Sequence, residues 1–268
     1  MALDLDITVI NRIDTCPLTL QLSSGTTGEQ QPELEDISYF SKEDWRTPSE
    51  QELDTLAAPI SKSIRNEVTV VAIIPDIISQ ARIHILNPLS QSTLSLERDR
   101  HRSAAVLALR EAITTHLKAT YGISLGQEGG ADLSIHRPML RSTAFNYFAK
   151  VYMGLHIDNR QKFIASERWK SRLLCSVNLG STHRYFHFIN LSTIGLLSKL
   201  GIDATSTSLH PAQIKGLFCE RYPDYPVVRL RIEPGQAYIC NSEDIIHDGA
   251  TNELGSPDVS LLILGDLL

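Results

Sequence analysis

Three residues carry the chemistry this chain could do: His156, Asp158 and His247. The first two stand two apart in Gly154-Leu155-His156-Ile157-Asp158-Asn159, and the third lies in Ile245-Ile246-His247-Asp248-Gly249. Each falls where a β-strand or its end is expected. Alternate residues of a strand point to one face, so His156 and Asp158 aim together. Two imidazoles and one carboxylate can occupy one face of a ferrous ion and leave the opposite positions open to O₂.

The elements that must position them begin with strands. Residues 172–179, 183–190, 226–233, 236–240 and 258–264 read as strands, as does 145–153, which leads into the first ligand. Pro234-Gly235 supplies a fixed φ followed by a permissive one, as a type II turn requires. Residues 194–200 and 211–220 read as short helices between strands. Upstream, Val106, Leu109, Ile113 and Leu117 make one apolar stripe in a helix over 96–120 that Gly122 stops. A second helix runs from Thr47, its expected cap, towards Ala58, with Pro48 at its first position and Glu50 reaching back. Val68–Ile74 is a buried strand. Residues 21–46 are polar, and within them 23–32 reads as a flexible loop.

Helices first and strands afterwards predict an α+β chain. The expected architecture is a distorted double-stranded β-helix, the jelly roll of the cupins, braced by N-terminal helices. One catalytic domain spans 1–268, with a mainly helical part over 1–140 and a metal-binding β-core over 141–268.

Composition excludes several classes. The chain has 268 residues, 42% of them hydrophobic, and a formal net charge of −6. An acidic balance with one basic cluster (Arg98, Arg100, His101, Arg102) argues against nucleic-acid binding. Cys16, Cys175, Cys219 and Cys240 form no C-x-x-C pair, so no zinc knuckle or redox motif is expected. No apolar run is long enough to span a membrane and no secretory leader is visible, which together lead to a cytoplasmic expectation.

Residues 145–265 resemble the Fe(II)/2-oxoglutarate-dependent dioxygenase superfamily. The resemblance lies in Gly154–Asn159, in the strand pair Arg172–Gly180 and His183–Asn190, in Glu233-Pro234-Gly235-Gln236, and in Ile245–Thr251. It implies that His156, Asp158 and His247 bind Fe(II), that 2-oxoglutarate and O₂ are co-substrates, and that a small polar molecule is hydroxylated, an amino acid or an intermediate of specialised metabolism. Halogenating relatives lack the carboxylate, so Asp158 implies hydroxylation or a related oxidation. Many members hold the far carboxylate of 2-oxoglutarate with an Arg-x-Ser arrangement after the last His. Here Ser260 is in place, but Asp258 stands where Arg is expected. Two carboxylates repel, so the anchor is sought in Arg172, with Asn178 on the same strand face and Tyr152 as further contacts. Asp258 would pair with Arg172 or with a cationic group of the substrate. Of Arg229 and Arg231, at least one is expected at a solvated edge. His183, His187 and His210 are read as structural or substrate-facing. Two other readings stay open: a cupin-type metal enzyme that does not use 2-oxoglutarate, and a non-catalytic cupin-like binding protein. Oligomeric state is not written in the sequence.

Overall fold

The computed structural model describes residues 1–31, 36–57, 63–83, 104–251 and 255–268. The N-terminal part contains β1 (Thr8–Asn11), β2 (Leu20–Ser23), β3 (Thr26–Gln31), β4 (Asp36–Ser41), α1 (Glu50–Ala57), β5 (Glu67–Ala72), α2 (Pro75–Ala81), α3 (Ala104–Tyr121) and β6 (Ala131–His136). After it come β7 (Phe145–Asn146), β8 (Val151–Tyr152), β9 (Leu173–Asn178), β10 (Arg184–Ser192), α4 (Thr193–Leu200), α5 (Pro211–Arg221), β11 (Val227–Ile232), β12 (Gln236–Cys240), β13 (Ile245–Ala250) and β14 (Asp258–Gly265). The chain is a mixed α/β structure built on two main sheets, ordered β1-β5-β12-β9-β14-β6 and β13-β10-β11-β2. All pairings in these sheets are antiparallel except β1 with β5.

Side-chain alternation sorts the layers. On β10, Phe186 and Phe188 point inward; with Val228, Leu230 and Ile232 of β11 they pack against Leu174, Tyr238, Cys240, Val68 and Val70 of the larger sheet. The opposite face of that larger sheet is also apolar. Cys175, Val177, Ile239, Leu261 and Ile263 pack on Val106, Leu109, Ile113 and Leu117 of α3. Burial on both faces explains why β9, β12 and β14 read as near-continuous apolar runs. Phe188 is fully buried between the sheets. Phe188→Ala is expected to lower the unfolding free energy by about 3–5 kcal/mol, the usual penalty for an aromatic lost from a core, read from the denaturant midpoint.

Several expectations are corrected. The described part of the first 140 residues is not mainly helical: β1, β5 and β6 complete the larger sheet and β2 the smaller. The stretch 23–32 is not a loop throughout: its described residues contain the end of β2 and all of β3, which forms a hairpin with β4. Thr26–Gln31 carries no apolar residue and is largely exposed, so no hydrophobic alternation marks it as a strand. The strand expected over 145–153 is instead the two-residue ladder of β7 and β8, because Asn146 Oδ1 accepts from Phe148 N and Ala149 N and turns the chain. Helix α1 starts at Glu50, and the reciprocal cap is Ser49 with Glu52 rather than Thr47 with Glu50. The start of the helix expected from residue 96, with the basic cluster, lies outside the described residues, as does Ala58. Among the described residues no helix is long and apolar enough to cross a membrane.

Candidate metal centre

The two ligand-bearing segments are brought together by main-chain pairing. His156 N donates to His247 O at 2.9 Å, and His247 N returns the bond to His156 O at 2.8 Å. Asp158 N donates to Ser242 O at 3.1 Å. On its other side His247 pairs with Phe188 of β10. Gly154 makes the approach possible. Its φ of +69° suits glycine, and any Cβ there would collide with the Tyr39 carbonyl. That carbonyl instead accepts from Leu155 N at 2.7 Å.

One ligand atom from each of His156, Asp158 and His247 lies within 4.8 Å of the others. His156 Nε2 is 3.7 Å from Asp158 Oδ1, and His247 Nε2 is 3.8 Å from Asp158 Oδ2. Each imidazole is oriented through its other nitrogen: His156 Nδ1 meets Gly154 O at 2.9 Å and His247 Nδ1 meets Ile245 O at 3.2 Å. A carbonyl can only accept, so Nδ1 carries the proton and the Nε2 lone pair is presented to the shared space. Burial, and then the neighbouring His156, lower the His247 pKa to about 4, which keeps the ring neutral. Burial opposes ionisation of Asp158, but its attraction to any proton on His247 or His156, and to the Arg160 guanidinium, outweighs this and holds its carboxyl below the usual range. Two neutral nitrogens and one carboxylate are the donor set a ferrous ion takes, and small side-chain rotations would bring them to bonds of about 2 Å.

Arg168, which no sequence pattern singled out, ties the segments together. It is 1% exposed. Its Nη1 donates to Asp158 O at 2.9 Å and Glu243 O at 2.6 Å, its Nη2 donates to Asn159 Oδ1 at 2.5 Å, and its own carbonyl accepts from Asn241 Nδ2. Only the partners, far apart in sequence, reveal the role. Beside Glu243, burial pushes Asp244 up to about 7 although Thr193 N donates to it. A folded-state pKa above the unfolded one means stability is lost as pH rises from about 4 through 7. Asp244→Asn is therefore expected to exceed wild type in stability at pH 8 by on the order of 2–4 kcal/mol and to match it near pH 4; thermal melts at both pH values check this.

The triad faces a cavity of about 630 Å³ between the sheets, lined among others by Ser134, His136, Phe145, Tyr147, Arg184 and Ser260. Arg184 is 4% exposed; its Nη1 donates to Ser176 Oγ at 3.2 Å, and its Nε stands 3.6 Å from Asp258 Oδ1. Arg184 Nε, both Asp258 oxygens and Ser260 Oγ are buried without a hydrogen-bond partner. Gly249 passes so close that a Cβ there would strike Thr143 Oγ1 and press on Arg184 Nη2.

Of the residues expected to hold a co-substrate, only Ser260 lines this cavity. Arg172 is corrected: it sits just outside β9 and its Nε meets Asp266 Oδ2 at 3.3 Å, with both side chains partly exposed. Asn178 is corrected too. Its amide holds a turn, donating to Thr182 O and Ile232 O and accepting from Gly180 N. Tyr152 lines a separate hollow with Phe40 and Arg141 and packs on Phe145. Asp258 pairs with Arg184, not with Arg172. Arg231 is the solvated one of its pair, bound to Glu233, while Arg229 is buried between Trp45 and Tyr185. His210 caps α5, and His187 Nδ1 meets Ser41 Oγ at 3.1 Å.

Compared with protein-family models and with curated proteins, the chain matches none. Among solved structures it is similar to the Kdo hydroxylase KdoO, described as a non-haem Fe(II) α-ketoglutarate-dependent dioxygenase, in complexes with succinate and Fe(III) and with α-ketoglutarate and Fe(III). Identity is 14% in both, the match covers 75% of this chain and 79% of that one, and the TM-scores are 0.41 and 0.40. Likeness of that degree decides nothing about chemistry, which rests on the residues of the cavity.

Proposed function

We propose that this chain is a non-haem Fe(II)/2-oxoglutarate-dependent dioxygenase that hydroxylates a small polar substrate, with an amino acid or an intermediate of specialised metabolism as the substrate class. The observation that carries the reading is the His156–Asp158–His247 cluster opening onto a cavity that also contains a buried guanidinium. The successive segments support it. From β6 onward the chain passes to the His156 segment, to β9, to β10 and β11, to β12, to β13 and to β14, alternating between the two sheets as a double-stranded β-helix does.

The orphaned atoms fit the co-substrate. Arg184 Nε and Ser260 Oγ want partners that a carboxylate provides, and Arg184 thus replaces Arg172 as the anchor. Iron with 2-oxoglutarate supplies the oxidising power to insert one oxygen atom of O₂ into a C–H bond. The chain's own tasks are different. His156, Asp158 and His247 would hold the ion. Arg184 and Ser260 orient the far carboxylate. Phe145, Tyr147 and the inward faces of β6 and β14 shape the space where the substrate lies and limit water there.

The Arg184–Asp258 pair favours a second reading, a metal enzyme of the same fold that does not use 2-oxoglutarate, because Asp258 already matches the guanidinium's charge. One experiment separates them. The anaerobic Fe(II) protein is titrated with 2-oxoglutarate, and O₂ uptake and succinate are then measured. A visible charge-transfer band and succinate matched to O₂ support the proposal; iron binding without either supports the second reading. Loss of iron binding altogether removes both.

A further inference from the structure

The proposal concerns Arg160 and rests on the iron reading above. Asp158 offers two oxygens to the cluster, Oδ1 towards His156 and Oδ2 towards His247, at nearly equal distances of 3.7 and 3.8 Å. A carboxylate so placed can bind one ion through one oxygen or through both. The choice matters. With two imidazoles and a single oxygen, an octahedral ion keeps three positions open; with both oxygens it keeps two. A co-substrate that chelates then leaves one position for O₂ in the first case and none in the second.

Arg160 decides between them. Its Nη1 donates to Asp158 Oδ2 at 2.6 Å, a short charge-assisted hydrogen bond. The lone pair that faces Arg160 is withdrawn from the metal, while Oδ1 accepts no hydrogen bond from this guanidinium. The side chain is anchored at that one carboxylate and is 45% exposed, so its contribution to the core is small. It also lines both the metal cavity and a neighbouring hollow that includes Leu107, Gly130 and Leu264. Arg168 works on the other end of the same residue, holding the Asp158 carbonyl at 2.9 Å. One arginine fixes the main chain and the other fixes the carboxylate.

We propose that Arg160 is a positioning residue that holds Asp158 to single-oxygen coordination and so preserves the third open position on the ion.

The test uses Arg160→Met, which keeps the stem and removes the donors, and Arg160→Lys, which keeps one charged donor. Each is loaded anaerobically with Fe(II) and 2-oxoglutarate, and the open position is probed with nitric oxide as an O₂ surrogate, read by the electron paramagnetic resonance signal of the nitrosyl. Arg160→Met is expected to bind Fe(II) as tightly as wild type or more so, to show the charge-transfer band, and to bind nitric oxide at least tenfold more weakly. Arg160→Lys is expected to recover most of that loss. Nitric oxide affinity within twofold of wild type in Arg160→Met, with iron and 2-oxoglutarate bound, overturns the role of Arg160 and leaves the iron reading standing. Loss of iron affinity in Arg160→Met alone overturns it as well, since a second oxygen on the ion cannot weaken its binding. Failure of the wild-type protein to bind iron overturns both.

Discussion

His247→Ala is expected to raise the Fe(II) dissociation constant at least about a hundredfold and to abolish turnover. Losing a residue that merely orients a ligand costs about 10–100-fold in metal affinity, and losing one of three ligands costs more. The site cannot compensate locally. His247 is 5% exposed, its ring lies 4.5 Å from that of His156, and the space it vacates is bordered by Phe186, which has no donor to offer. The control is His187→Ala. His187 is as deeply buried and sits on the neighbouring strand, but it points to the outer face of its sheet towards Ser41 and Trp45. That variant should lose stability and keep iron affinity. Calorimetric titration under argon reads both, and wild-type iron content in His247→Ala would dissolve the centre as described.

Arg184→Ala is expected to raise the 2-oxoglutarate concentration for half-maximal chelation by about a hundredfold while Fe(II) affinity changes little. Removing one partner of a desolvated charge pair costs about 2–5 kcal/mol, and about 2.7 kcal/mol is a hundredfold. The same substitution strands the Asp258 carboxylate, which is 2% exposed. Leaving a buried charge unmatched destabilises a fold by about 3–5 kcal/mol. The double variant Arg184→Met with Asp258→Asn removes both charges, so it should regain most of the stability and none of the 2-oxoglutarate affinity. Arg172→Ala is the contrasting case. Its ion pair with Asp266 is partly exposed, and such pairs contribute at most about 1 kcal/mol. Charge-transfer titrations and denaturation curves of the three variants together distinguish an anchor from a structural ion pair. Equal 2-oxoglutarate affinity in Arg184→Ala and wild type would remove Arg184 from the site.

The contrast between these arginines shows how far the sequence is legible. Arg172 and Arg184 both stand at the start of β-rich stretches, one beside β9 and the other opening β10. Strand parity puts Arg184 on the same face as Phe186 and Phe188, which form the interior between the sheets. It could not tell that the interior widens into a cavity at that end of β10. Asn178 shows the same limit. It follows Leu174 and Ser176 in phase, but at the last position of its strand its amide is consumed by the turn to β10. Tyr152 stands four residues before His156 and would share its face on a continuous strand, but the tight β7–β8 hairpin with Lys150 at a φ of +57° breaks that phase.

What the sequence determined by itself was local: donor types at the right spacing, strands with two apolar faces, the α3 stripe, and the Pro234-Gly235 turn, with Gly235 at a φ of +81°. These follow from the two-residue and 3.6-residue periods of the backbone, which any reader can count. What only the tertiary structure decided was which charges meet. Arg184 with Asp258, Arg168 with the carbonyls of Asp158 and Glu243, and Arg160 with the Asp158 carboxylate arise because two sheets bring distant segments into one low-dielectric space. A short-range periodicity carries no information about which side chain lies across that gap, and there a buried charge must find a partner or remain costly.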